Sequence, residues 1–143
     1  MRLITIDSSV FVSATRPSEP GYQDSIDFLG WVRRSRPRLF LPTLVLVETA
    51  AALSRTGSDE DLAQQYGLAI SQLPNTVLVT LDEGLARQAA AFGAQHKLRG
   101  ADAVFLATAS LFAAELVTLD REQLRRGVKI VRTLTPARFV ATT

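Results

Sequence analysis

Cysteine is absent from the chain, and histidine, methionine and tryptophan each occur once. Without a thiol there can be no disulfide, no thiolate zinc site and no cysteine nucleophile, and the redox compartment is left open. The lone histidine, His96, follows a helical stretch and precedes Lys97, where a favourable contact with the helix dipole accounts for it. Tyr22, Tyr66 and the seven phenylalanines do not interleave with basic residues as a base-stacking surface would, so core packing is their better reading. Long apolar runs are missing too. Asp7 interrupts the apolar N-terminal stretch before a signal-peptide core or a bilayer-length span can form, so a cytoplasmic protein with no membrane segment is expected. No glycine-rich phosphate loop follows a strand, and no G-x-S-x-G elbow is present. Nor is there a Gly/Ser linker, a tandem repeat or a low-complexity tract. With 143 residues, 47% of them hydrophobic, one core and a single domain over 1–143 are expected. A formal charge of +2 implies no uniformly basic surface. Arg33, Arg34, Arg36 and Arg38 do cluster, as do Arg121, Arg125 and Arg126; such patches suit phosphates, although solvated faces are the commoner explanation.

What is present is an alternation of apolar strand-like runs with helical patterns. The run Leu3–Ile6 reads as a strand, followed by a short helix from Ser8 to Ala14 that the segment Thr15–Gly21 breaks with two prolines and a glycine. Tyr22 to Ser35 reads as an amphipathic helix with Ile26, Leu29, Trp31 and Val32 near one side. A second strand spans Arg38 to Leu41, and Pro42-Thr43 opens a helix to about Arg55 that Gly57 ends. Ser58 is placed to cap the next helix, with Asp59, Glu60 and Asp61 in its first turn. Pro74-Asn75 turns into a strand at Thr76–Thr80, and helices follow at Asp82–Gln95 and Ala101–Ala114. Leu116–Leu119 is a fourth strand, Arg121–Arg126 a short helix and Val128–Val131 a fifth strand. This alternation predicts an α/β fold, a mainly parallel sheet covered on both faces.

Four acids stand out against that frame. Asp7 and Asp120 each close a strand, at the carboxyl ends where open α/β sheets place ligands. Each also has a bland explanation as the cap of the following helix, and Asp102, near the start of a helix after Gly100, has a similar one. Glu48 has the weakest such explanation. Mid-helix in the apolar run Leu44–Leu53, it needs an arginine partner or a metal. Two carboxylates about 4 Å apart repel by roughly 4 kcal/mol at an effective dielectric of 20, so acids that converge invite a hard dication.

The segments Leu3-Ile4-Thr5-Ile6-Asp7-Ser8-Ser9-Val10, Val45-Leu46-Val47-Glu48-Thr49-Ala50, Leu98-Arg99-Gly100-Ala101-Asp102-Ala103 and Leu116-Val117-Thr118-Leu119-Asp120-Arg121 together resemble the four motifs of the PIN-domain family, and within it the single-domain VapC-like toxins. The resemblance covers nearly the whole chain in the right order. It implies a PIN-like three-layer α/β/α sandwich with about five central strands, and a Mg²⁺- or Mn²⁺-dependent endoribonuclease of a toxin–antitoxin pair. It also implies a cognate antitoxin as partner and a homodimer. The family roles carry over to Asp7, Glu48, Asp102 and Asp120 as the metal-binding, catalytic acids, with Ser9 and Thr118 as polar support. One departure concerns the region after the last aspartate, where some members carry a further acid: here the nearest is Glu122, with Gln123 beside it. The tetrapeptide Val79-Thr80-Leu81-Asp82 duplicates Val117-Thr118-Leu119-Asp120, yet the resemblance assigns only Asp120 to the site.

The activity implied is metal-assisted hydrolysis of an RNA phosphodiester, with arginines of the basic clusters on the backbone of single-stranded or loop RNA. Two other readings stand beside it. A receiver-like signalling domain also gathers strand-end aspartates around Mg²⁺, but it wants a lysine after a late strand, and Lys129 falls inside the expected fifth strand. The other is a PIN-like module that binds RNA or protein without cleaving.

Overall fold

The computed structural model describes residues 1–143. Its strands are β1 (Leu3–Ile6), β2 (Arg38–Pro42), β3 (Thr76–Val79), β4 (Glu115–Val117) and β5 (Thr133–Leu134). They form one sheet in the order β3-β2-β1-β4-β5, with every pairing parallel. Parallel strands need crossover helices, which cover both faces and bury the central strands. Accordingly Ile4, Thr5 and Ile6 of the central β1 are all buried, and the Thr5 hydroxyl donates to the Phe40 carbonyl of β2 at 2.8 Å.

The helices are α1 (Ser8–Ser13), α2 (Tyr22–Ser35), α3 (Leu44–Arg55), α4 (Glu60–Ile70), α5 (Glu83–His96), α6 (Gly100–Leu111), α7 (Arg121–Gly127) and α8 (Pro136–Ala141). None is long and apolar enough to cross a membrane. Phe139 of α8 packs edge-on against Phe28 and Trp31 of α2, with ring centroids 5.2 and 5.0 Å apart, while the Arg2 guanidinium lies 3.8 Å from the Phe139 centroid. That aromatic knot anchors the C-terminal helix to one face of the sheet.

Four sequence expectations need correction. The inner line of α2 is Ser25, Phe28 and Val32, at i, i+3 and i+7, and Ile26 points outward. The cap of α4 is Asp59, whose carboxylate accepts from the Asp61 and Leu62 amides, so Ser58 lies outside the helix. Val128–Val131 is no strand: the Ile130 and Val131 amides both donate to the Gly127 carbonyl, at 2.8 and 3.0 Å, closing a turn that delays β5 to Thr133. Lys129 therefore lies in that turn. The receiver-like alternative is instead excluded by strand order, because such domains run 2-1-3-4-5 and this sheet runs 3-2-1-4-5. Finally, α8 was not expected; Thr135 caps it by accepting from the Arg138 amide, and Pro136 occupies its first turn.

From β1 the chain steps outward through β2 to β3 on one side, and through β4 to β5 on the other. The strand order thus reverses between β1 and β4. A crevice for ligand opens at such a switch point, beyond the carboxyl ends of the two strands.

Candidate active site

Asp7 and Asp120 flank that switch point, and both serve as caps. Asp7 accepts from the Ser9 amide at 3.0 Å to start α1, and Asp120 accepts from the Gln123 amide at 2.9 Å to start α7. The bland and the functional explanations of these aspartates are therefore compatible, since the same extended residue that caps the helix presents its carboxylate at the strand end. Asp102 joins them from the first turn of α6 and Glu48 from the middle of α3.

The four acids lie close enough to perturb one another. Burial is the main force raising the Asp102 carboxyl to about 7, reinforced by the charges of Asp120, Asp7 and Glu48 and opposed by Arg99. Burial likewise raises Asp7, which is only 4% exposed; hydrogen bonds from Ser9 and Gln123 oppose the rise and the Asp120 charge adds to it. Glu48 is raised by burial and by Asp7, against a hydrogen bond from Ser8. No arginine pairs with Glu48, and its surroundings are less apolar than the run around it suggests. The residue is only half-buried, and the Ser8 hydroxyl donates to its Oε1 at 3.0 Å.

A buried polar relay links β1 and β4 beneath the acids. The Leu119 amide donates to Ser9 Oγ at 3.1 Å, Ser9 Oγ lies 3.4 Å from Thr118 Oγ1, and the Asp120 amide donates to Thr118 Oγ1 at 3.0 Å. Thr118 in turn donates to Gln123 Oε1 at 2.6 Å. At the other end of this fully buried amide stand two acceptors, so it is Nε2 that faces Asp7 Oδ1 at 3.3 Å and the Asp102 carbonyl at 3.4 Å. Ser9 and Thr118 thus hold the backbone that carries Asp120. Gln123 is the part of the relay that sequence reasoning missed, although a glutamine one turn after a strand-end aspartate was a signal.

The basic residues are arranged differently from the expectation. Arg38 pairs with Leu3 at the entry end of β1, which puts the Arg33–Arg38 cluster at the opposite end of the sheet from the acids. Arg125 and Arg126 are bound by Glu122, each at 2.8 Å, and Arg126 also donates to the His96 and Lys97 carbonyls. These pairs hold the Glu122 carboxyl below its ordinary range and occupy it on α7. The cation that does reach the site is Arg99, 3.7 Å from Asp102 Oδ2 and 3.5 Å from Asp120 Oδ2. Asp82, the twin of Asp120, caps α5 through the Leu85 amide at 2.8 Å, beyond the edge strand β3.

The model of the PIN domain matches residues 4–129. The chain belongs to the PIN domain family. Solved structures agree on the fold of this PIN domain. A toxin–antitoxin complex from Klebsiella pneumoniae superposes with a TM-score of 0.67 at 17% identity, over 93% of this chain and 97% of that one. FitAcB from Neisseria gonorrhoeae gives 0.69 at 17%, over 93% and 97%. Mycobacterium tuberculosis VapC20, a sarcin-ricin loop cleaving toxin, gives 0.68 at 18%, over 82% and 90%. Among curated proteins none matches the sequence significantly.

Divalent metals are the expected cofactors of such a domain, and the residues can be tested for fit. Asp102 Oδ2 is buried with no hydrogen-bond donor, and the charges around it are mainly acidic, which favours a cation. No three acidic or imidazole side chains stand close enough to chelate one ion. Mg²⁺ does not require that, since it retains several waters and takes one or two carboxylates. The donor set fits a largely hydrated hard cation.

Proposed function

We propose that this PIN domain is a Mg²⁺- or Mn²⁺-dependent endoribonuclease acting as the toxin of a toxin–antitoxin pair. The observation that carries the reading is the orphaned Asp102 Oδ2, set among Asp7, Asp120 and Glu48 at the switch point of a PIN fold. Asp102 and Asp120 would hold the cation, with Asp7 and Glu48 supplying the surrounding negative charge. When bound, the cation supplies Lewis-acid polarisation of the scissile phosphate and makes a nearby water more acidic. Asp102 Oδ2, the carboxylate oxygen with no donor, would be free to orient a water beside the cation. The relay of Ser9, Thr118 and Gln123 keeps Asp7 and Asp120 in register across the two strands.

RNA enters over α7 and the end of α5. There a polar cavity of about 270 Å³ is lined by Gln95, His96, Lys97, Arg126 and Lys129, and the exposed Lys97 and Lys129 are open to backbone phosphates. VapC20, similar in fold, is a sarcin-ricin loop cleaving toxin, and the Klebsiella structure is a toxin–antitoxin complex; both support the reading. An antitoxin helix fits the apolar groove of about 230 Å³ between α3 and α4, where Val47 and Leu68 are exposed. We read the chain as one domain, working in the cytoplasm.

The Arg99 guanidinium already standing between Asp102 and Asp120 favours one alternative, a PIN module that binds RNA or protein without cutting. Pooled cellular RNA incubated with the purified protein distinguishes the two. The nuclease reading expects cleavage with Mg²⁺ or Mn²⁺, none with chelator, and none from Asp102→Asn. Intact RNA under every metal condition overturns the nuclease reading.

A further inference from the structure

Arg99 is the one cation in ion-pair contact with any of the four acids. It occupies the extended position before α6, makes no side-chain cap, and remains 76% exposed while its guanidinium spans Asp102 Oδ2 and Asp120 Oδ2. At 3.7 and 3.5 Å these are ion pairs rather than hydrogen bonds, and Asp102 Oδ2 is left without a donor. The guanidinium therefore balances charge without satisfying the oxygens it faces. Glu122, on the neighbouring turn of α7, is already held by Arg125 and Arg126 and offers Arg99 no close partner. The next residue, Gly100, has open space around its Cα, so the end of α6 leaves room for the side chain to swing.

We infer that Arg99 is an exchangeable internal counter-ion of the acid pair Asp102 and Asp120, which a divalent cation must displace and which then engages an RNA phosphate. The inference rests on the nuclease reading above and adds a role for a positioning residue. A planar fork suits both tasks, because it pairs with carboxylates and with phosphates in the same geometry. Its exposure keeps the contact weak enough to exchange.

The consequence is a pair of effects of opposite sign. Removing Arg99 takes away both a competitor for the carboxylates and a positive charge that repels the dication, so metal binding tightens. It also takes away a phosphate contact, so RNA cleavage falls. An arginine that merely braces α6 would weaken both or move neither.

The experiment is Mn²⁺ titration by calorimetry on the wild type, Arg99→Gln and Arg99→Lys, with cleavage of one RNA measured at saturating metal. The expected result for Arg99→Gln is Mn²⁺ affinity at least about threefold tighter, with kcat/KM reduced about tenfold or more, and intermediate values for Arg99→Lys. Mn²⁺ binding that is unchanged or weaker in Arg99→Gln overturns the exchange. Tighter Mn²⁺ binding with undiminished cleavage overturns the phosphate contact. If neither wild type nor variant binds Mn²⁺, the nuclease reading and the inference fall together; if both bind it equally and the wild type cleaves, the inference alone fails. Circular dichroism melts on the same three proteins verify that each is folded.

Discussion

Asp102, with Asp7 and Glu48 beside it also raised by burial, ties the stability of the molecule to pH. The Asp102 carboxyl keeps its proton up to about 7 in the folded, metal-free chain, against an ordinary value of 3.8, because burial and three neighbouring acids disfavour the charge. Between those values the folded state holds more protons at this position than the unfolded state does. The associated stability is fully present below the unfolded value and is lost as pH rises through about 7. Metal binding runs the other way, since the cation must displace the proton and its affinity therefore rises through the same range. Melting curves at pH 5 and pH 8, with and without Mg²⁺, are expected to show a metal-free loss of stability toward pH 8 that Mg²⁺ offsets. Asp102→Asn is expected to flatten both trends, and an equal pH dependence in mutant and wild type would contradict the account. At this scale the sequence was legible for Asp7 and Asp120, whose strand-end positions are set by short apolar runs. It was not legible for Ser8, Arg99 or Gln123, because nothing local distinguishes a side chain that reaches across the sheet from one that faces water.

At the scale of elements, most boundaries followed from breakers and caps. Tyr22–Ser35 was read to the residue, since Gly21 and Pro20 precede it and Arg36 ends it in a left-handed conformation, φ 50°. Gly57 ends the run after α3 at φ 105°, where a side chain would be strained. The failure at Val128–Val131 is informative, because the apolar character was right and the conformation wrong. Those residues close the turn on Gly127, whose own position depends on close packing. A Cβ there would lie 2.8 Å from Leu106 Cδ2 and 3.0 Å from Thr133 Oγ1. Gly127→Ala is therefore expected to destabilise the fold by about 1–3 kcal/mol through overpacking between α7, α6 and β5, measured by chemical denaturation. A change within about 0.5 kcal/mol would show that this junction is looser than its geometry.

For the molecule as a whole, two properties depend on how the elements assemble. The first is association. Val47 and Leu68 expose 65% and 59% of their surface in the groove between α3 and α4, and Leu62 of α4 exposes 62%, an apolar region open to a partner. Light scattering of the protein alone at micromolar concentration is expected to give a dimer, and a monomer would count against homodimer formation. The second is the selection of one aspartate from two identical tetrapeptides. Asp82 and Asp120 both follow a Val-Thr-Leu strand end and both cap a helix, so local sequence cannot separate them. Sheet order does, since β4 adjoins β1 while β3 lies at the edge with β2 between, roughly 10 Å away at about 4.8 Å per strand.

The most direct test of the central claim compares Asp82→Asn and Asp120→Asn on one RNA substrate at fixed Mg²⁺. Asp82→Asn is expected to keep most of the activity and to cost at most about 1 kcal/mol of stability through a weaker cap. Asp120→Asn is expected to lose at least about tenfold in rate, equivalent to ~1.4 kcal/mol or more in the transition state. Equal activities, or the larger loss in Asp82→Asn, would contradict an active site at the β1–β4 switch point.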